Sequence, residues 1–308
     1  MSLSEAIRAL AAFEPPSELP PVDLALLAEV LESNGLAPLA SYHLETCALG
    51  AGVPAQFREK LLALYQGVVN DNVYRVMTLR GALRASPVPV VVLSGLAAVD
   101  WLYPHLAFRP LGDIRLAVRG EDGAPFAEAA KGVGFKVEAV AGGGTGVAFG
   151  DDRVRFTIQE GLWAGAPPDP SLFERATPVP VLGARVLRPS PEDMLLATVG
   201  EQAEQGLLAP LVTYVDLREL LRLDPPLNSL YVKSRAAATG LSRALSGALS
   251  LVAHHFPETA EAARALSPDL SAPERAAVDA VVRSASDPGR LTHLRGAQAA
   301  ARLAVLPR

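Results

Sequence analysis

Tyr103-Pro104-His105-Leu106-Ala107-Phe108-Arg109-Pro110-Leu111-Gly112-Asp113-Ile114-Arg115-Leu116-Ala117-Val118 is the stretch whose reading decides the fold. Two prolines and a glycine make its first part a loop, and residues 113–118 read as a strand. The neighbouring segments extend this into a small sheet. Upstream, Pro87-Val88-Pro89 ends a long helical pattern, and Val90-Val91-Val92-Leu93 follows as a short β-branched run of the buried-strand kind. Ser94-Gly95 closes that strand, and Leu96 to Leu102 has room for one or two helical turns. Downstream, Pro125 to Val133 predicts a helix closed by Gly134, and Phe135 to Val140 a third strand. Ala141-Gly142-Gly143-Gly144-Thr145-Gly146 predicts a turn. Val147-Ala148-Phe149 and Val154 to Ile158 predict a hairpin around Gly150-Asp151-Asp152.

Both flanks are helical in pattern. Asp23 to Leu31 is amphipathic, and Gly35 stands where a helix-ending glycine belongs. Pro54 to Leu83 carries Phe57, Leu61, Tyr65, Val69, Val73, Val76 and Leu79 at helical spacing. Trp163 to Pro180 is rich in proline and reads as irregular, with a further hairpin over Val181 to Leu187. Ser190-Pro191-Glu192-Asp193 combines a serine cap, a proline at the first helical position and acids in the first turn, which makes it a helix start. From there to Arg302 the pattern is helical, interrupted by prolines. The expected architecture is α+β: an N-terminal helical region over 1–85, a small mixed-sheet core over 86–188, and a C-terminal helical domain over 189–308.

Bulk properties narrow the function classes. Of 308 residues, 50% are hydrophobic and 20% charged, so the chain can build a large core and is not disordered throughout. The net charge of -5 leaves no global basic footprint, and nucleic acid is not an expected partner. One cysteine, Cys47, excludes an intramolecular disulfide and a cysteine-rich zinc site. No secretory signal or run of ~20 apolar residues is present, so a cytoplasmic protein without membrane attachment is expected. The high content of alanine, leucine, arginine and proline fits a GC-rich bacterial genome.

The order of helices, strand, Ser-Gly, helix, acid-led strand, further strands and helices resembles the uncharacterised nucleotidyltransferase family of the polymerase-β-like superfamily. Leu93-Ser94-Gly95 is similar to that family's "LKG" motif. Tyr103-Pro104, Arg109 and Asp113-Ile114-Arg115-Leu116-Ala117-Val118 resemble its "YP…R…DIDLLV". Arg155-Phe156-Thr157-Ile158-Gln159 falls where a third acid is expected, often followed by His-Trp. Ser190 to Leu196 and Val215-Asp216-Leu217 resemble its helical half. The resemblance spans roughly residues 20–290. It implies a nucleotidyltransferase-like core and a nucleotide site at Ser94, Gly95, Arg109, Asp113 and Arg115.

In such a family, transfer needs metal ions to neutralise triphosphate charge and activate the attacking oxygen. Residues i and i+2 of a strand share a face, so a DxD pair offers two carboxylates to the same metals. This chain departs from that pattern. Arg115 replaces the second aspartate, Thr157 stands near the third acid, Ser94 replaces the lysine, and Gln159-Glu160 replace His-Trp. A guanidinium ~4 Å from a divalent ion repels it by several kcal/mol at an effective dielectric of ~20.

The resemblance and these departures imply a catalytically degenerate protein that binds a protein partner or a nucleotide and needs no cofactor. Two alternatives stand beside it. One is an active magnesium-dependent enzyme in which Glu160, Asp151 or Asp152 joins Asp113. The other is a helical interaction module presenting Leu241, Ala244, Leu245, Ala248, Leu249, Val252 and Phe256, a face for which internal packing is the favoured expectation. Locally, Arg115 is expected to pair with Asp113 and fill the relic pocket, with phosphate binding as its functional alternative. Arg109 is expected in a structural ion pair unless it meets phosphate. The glycine run, His43 with Cys47, His254-His255 and His293 carry no motif of known chemistry.

Overall fold

The computed structural model describes residues 3–13, 19, 21–46, 49–99, 101–139, 145–149, 153–287 and 298–306. Cys47, Asp151, Asp152, His293 and the 141–144 part of the glycine run lie outside the described residues.

The first helices are α1 (Leu3–Ala11), α2 (Leu24–Ser33), α3 (Ala37–Thr46) and α4 (Ala55–Ala85). The middle of the chain holds β1 (Val90–Val92), α5 (Ser94–Val99), β2 (Ile114–Ala117), α6 (Gly123–Gly132), β3 (Phe135–Ala139), β4 (Thr145–Phe149) and β5 (Val154–Gln159). After these come α7 (Leu172–Arg175), β6 (Thr177–Pro178), β7 (Val186–Arg188) and α8 (Pro191–Glu204). The last helices are α9 (Leu211–Leu221), α10 (Ser229–Ala238), α11 (Ser242–His255), α12 (Ala260–Leu266), α13 (Ala272–Ala285) and α14 (Gln298–Val305). This is the α+β class. Contacts group the chain into two compact units: Met1–Asn70 with Leu102–Pro110 and Gln202–Arg308, and Asp71–Trp101 with Leu111–Glu201.

The first unit is helical. Its core is built on α11, whose residues Leu245, Ala248, Leu249 and Val252 are fully buried, packed by α9, α12 and α13. The face that the sequence offers for a partner is therefore interior. Asn34 joins the two ends of the unit. Its Oδ1 accepts the Leu211 amide at the start of α9 (3.0 Å), while its Nδ2 donates to Val30 (2.9 Å) at the end of α2. Gly35 follows at φ +68, and a Cβ there would stand 2.9 Å from Val212 Cγ1. Only glycine meets both demands.

The second unit holds a seven-stranded mixed sheet in the order β3-β4-β5-β2-β1-β7-β6. β2 is central, antiparallel to β1 (Val91 opposite Ala117) and parallel to β5 (Arg115 opposite Thr157). Val90, Val91 and Val92 are all buried, which explains a continuous apolar run rather than alternation. Phe156 anchors one face, with Phe135 and Phe126 packed edge-on at centroid distances of 5.3 and 6.0 Å.

Three expectations shift. The last hairpin lies further upstream, because β6 at Thr177–Pro178 pairs with β7, and 179–185 forms the turn with Val181 exposed. The stretch predicted as irregular contains α7, a single turn too short for periodicity to reveal. The apolar stripe of α4 is only partly buried. Phe57, Leu61 and Leu79 are covered, while Val73 and Met77 are 46% and 60% exposed.

Candidate functional site

The backbone between α5 and β2 brings three elements together in the second unit. The Leu93 amide donates to the Arg115 carbonyl (2.9 Å), which sets the end of β1 beside the middle of β2. Ser94 follows at φ +59, a left-handed conformation that costs a non-glycine residue on the order of 1 kcal/mol. Ser94 and Gly95 are buried. Thr157, the register partner of Arg115 on the parallel strand β5, is half-buried on the same face. Asp113 sits just before β2 and is exposed. The residues that the resemblance singles out on three separate strands are thus adjacent in the sheet.

The partner of Arg115 is not the expected one. Its Nε lies 3.7 Å from Oε1 of Glu201, on α8, and the Ser94 hydroxyl donates to the same oxygen. Both ion-pair members are largely shielded, at 17% and 19% exposure. Arg115 is therefore held by a helix rather than by its strand neighbour Asp113. The reason is reach: an α8 carboxylate meets the sheet face directly, whereas Asp113 stands in the bend before the strand, turned to solvent.

Glu201 owes its place to close packing. A Cβ on Gly200 would stand 2.5 Å from the Trp163 ring, so glycine lets α8 lie against that indole. At the start of α8, Asp193 is fully buried and accepts from Arg175 Nε at 2.8 Å, and Arg175 also reaches Asp169 at 2.9 Å. These contacts hold the helix on the sheet at both ends. Gly200→Ala is expected to destabilise the protein by ~1–3 kcal/mol through overpacking. Urea denaturation measures the loss, and the chemical shift of Arg115 Nε reports the accompanying displacement of Glu201.

The loop before Asp113 is fixed from α4. Asn72, buried, accepts the Leu111 amide through Oδ1 at 3.0 Å, and Arg75 donates to the carbonyls of Leu111 (2.6 Å) and Gly112 (3.2 Å). Sequence reading missed Asn72, Arg75 and Glu201. The one available signal was Gly200, since a glycine inside a helical pattern often marks a close approach.

Arg109 belongs to the first unit and serves a different purpose. Its Nε and Nη2 donate to Asp216 at 3.1 and 2.9 Å, and the Tyr103 hydroxyl donates to the same carboxylate at 2.6 Å. All three are buried. Burial, then the Asp216 charge, pushes the Tyr103 phenol well above its ordinary value, so it stays a donor. Three separate motif residues (the tyrosine, the arginine and the aspartate of the helical half) thus form one structural network.

The donor set does not fit the magnesium ions that the resemblance implies. Beside Asp113 the strand presents a guanidinium, and Glu201 already balances that guanidinium and accepts from Ser94. Glu160 cannot make up the deficit. It adjoins Val118 at the far end of β2, and ~3.3 Å per residue puts it roughly 16 Å along the strand from Asp113, far beyond shared coordination. Among the described residues no three histidine, cysteine or carboxylate side chains gather as a metal site. Among them, too, no helix is long and apolar enough to cross a membrane.

Comparison with known proteins agrees with the motif order. A family model described as an uncharacterised nucleotidyltransferase matches residues 20–257. No curated protein and no solved structure matches the chain.

Proposed function

The chain belongs to the uncharacterised nucleotidyltransferase family, and from that footing we propose that it is a catalytically degenerate member acting by binding rather than by nucleotidyl transfer. The observation that carries this reading is the Ser94–Glu201–Arg115 cluster. A fixed positive charge stands where the transfer chemistry needs a second metal-binding carboxylate. That charge is balanced inside the protein, so a divalent ion would have to displace an existing ion pair and then share the space with a guanidinium.

The same charges favour a protein partner over a nucleotide. Glu201 already balances Arg115, so the cluster offers no surplus positive charge to a phosphate group. Arg109, the other candidate for phosphate, already has its guanidinium on a buried carboxylate.

The test is transfer of labelled nucleoside triphosphates, with magnesium or manganese, to protein, RNA and small hydroxyl acceptors. The wild type is expected to transfer no more label than Asp113→Ala. Metal-dependent transfer by the wild type that Asp113→Ala abolishes would overturn the proposal. A parallel thermal-shift titration with nucleotide and magnesium separates the two binding readings, since any ligand of the folded state raises its stability by mass action. No shift for the wild type is expected if the partner is a protein.

A further inference from the structure

The seven-stranded sheet ends on two unlike edges. One is β6, two residues long and holding Pro178, and a strand that is short and carries a proline is a protected edge. The other is β3, the five residues Phe135-Lys136-Val137-Glu138-Ala139, without a proline. Its inner side pairs with β4 along its whole length, and among the described residues no strand pairs with its outer side. The N–H and C=O groups of such an edge are a ready template for another strand.

The side chains select which strand fits. Alternation puts Lys136 and Glu138 on one face, both exposed, and Phe135 and Val137 on the other, where Phe135 packs on Phe156. Arg155 donates to Glu138 Oε2 at 3.0 Å, which holds the carboxylate in place and leaves its other oxygen open. Lys136 makes no ion pair or hydrogen bond among the described residues.

An incoming strand must bring an acid opposite Lys136 and a base opposite Glu138. A second β3, run antiparallel, supplies both. With Val137 opposite the partner's Val137, each Lys136 faces the partner's Glu138. A shift of two residues sets lysine opposite lysine or glutamate opposite glutamate, and like charges directly opposite are destabilising. A shift of one residue turns the apolar face of one copy toward the charged face of the other. One register alone is self-complementary, as a two-fold interface requires.

We propose that β3 is a self-association edge. Two copies of the chain pair antiparallel through β3 about a two-fold axis at Val137. The pairing joins two seven-stranded sheets into one, with a Lys136–Glu138 ion pair on either side of the axis. The edge contains none of Ser94, Arg115 and Glu201, so the dimer stands or falls independently of the function proposed above.

Sedimentation velocity of the full chain over a rising concentration series tests the proposal. The wild type is expected to pass from the mass of one chain to that of two. Lys136→Glu and Glu138→Lys each set like charges opposite on both sides of the axis, and each is expected to weaken the dimer at least about tenfold. Both positions are exposed, so the fold is expected to be kept, and circular dichroism checks it. Mixed in equal amounts, the two variants are expected to regain association, because every contact of the mixed dimer again joins opposite charges. The double change Lys136→Glu with Glu138→Lys is expected to dimerise as the wild type does. A wild type that stays monomeric, which would leave the edge to a strand of a different protein, overturns the proposal. So do single variants that dimerise as well as the wild type, or that fail to associate when mixed.

Discussion

Asp216→Ala is expected to lower the melting temperature of the protein by roughly 10 °C. The carboxylate of Asp216 accepts from Tyr103 and takes two nitrogens of Arg109, all in the interior of the helical unit. Removing it leaves a buried guanidinium without its counter-charge, and breaking such a pair by deleting one member typically costs ~3–5 kcal/mol. Tyr103→Phe removes one donor only and is expected to cost ~1–2 kcal/mol, since Arg109 still satisfies the carboxylate. The double change Arg109→Met with Asp216→Leu is expected to be milder than Asp216→Ala, because no charge is then stranded. Thermal denaturation of the four proteins measures each cost. A drop of no more than a degree or two for Asp216→Ala would mean that this network does not hold the unit together.

The second large effect is a loss of stability in acid traced to His255. The ring is buried on α11, with Tyr214, His254 and Phe256 beside it and no partner for Nδ1. Burial, and then the charges of His254 and Arg8, push its pKa down to about 3, with Asp287 opposing. An unfolded histidine titrates near 6.5. Below pH ~6.5 the unfolded chain therefore takes up a proton that the folded chain refuses, and stability falls by up to ~1.4 kcal/mol per pH unit until about pH 3. Above ~6.5 the contribution is complete and flat. His43 acts in the same direction, its pKa lowered by burial against a partly offsetting bond to the Ala12 carbonyl. Urea denaturation at pH 7 and pH 5 compares the wild type with His255→Phe. The variant is expected to retain roughly 2 kcal/mol of what the wild type loses between those two pH values. Equal losses would place the acid sensitivity elsewhere, in carboxylates or in His43.

The two effects separate what a linear chain reveals from what it conceals. Tyr103, Arg109 and Asp216 were each legible as motif residues, yet their common purpose was not. The loop arginine and the helix aspartate are 107 positions apart, and nothing local says that they meet. Arg115 was legible as a cation in the place of a carboxylate, and Thr157 as its neighbour on another strand, which the parallel register bears out. Its true counter-ion was not, because Glu201 is one acid among several on α8. α11 packs internally, the reading favoured for it over a partner face. Its apolar face follows helical periodicity equally well whether a partner or the protein's own interior covers it, and only packing distinguishes the two.

By itself the sequence determined several elements: the buried β1 run after Pro89, the acid-led β2, the β4–β5 hairpin and the serine-capped start of α8. These arise from local causes such as steric limits, side-chain alternation and capping, which act within a few residues. Its motif order also resembled the nucleotidyltransferase family, which the family model matches over residues 20–257. Tertiary structure alone decided that Glu201 neutralises Arg115 and that Asp216 gathers Tyr103 and Arg109. Charge pairing inside a protein depends on distance and desolvation, and both are set only when remote segments pack together.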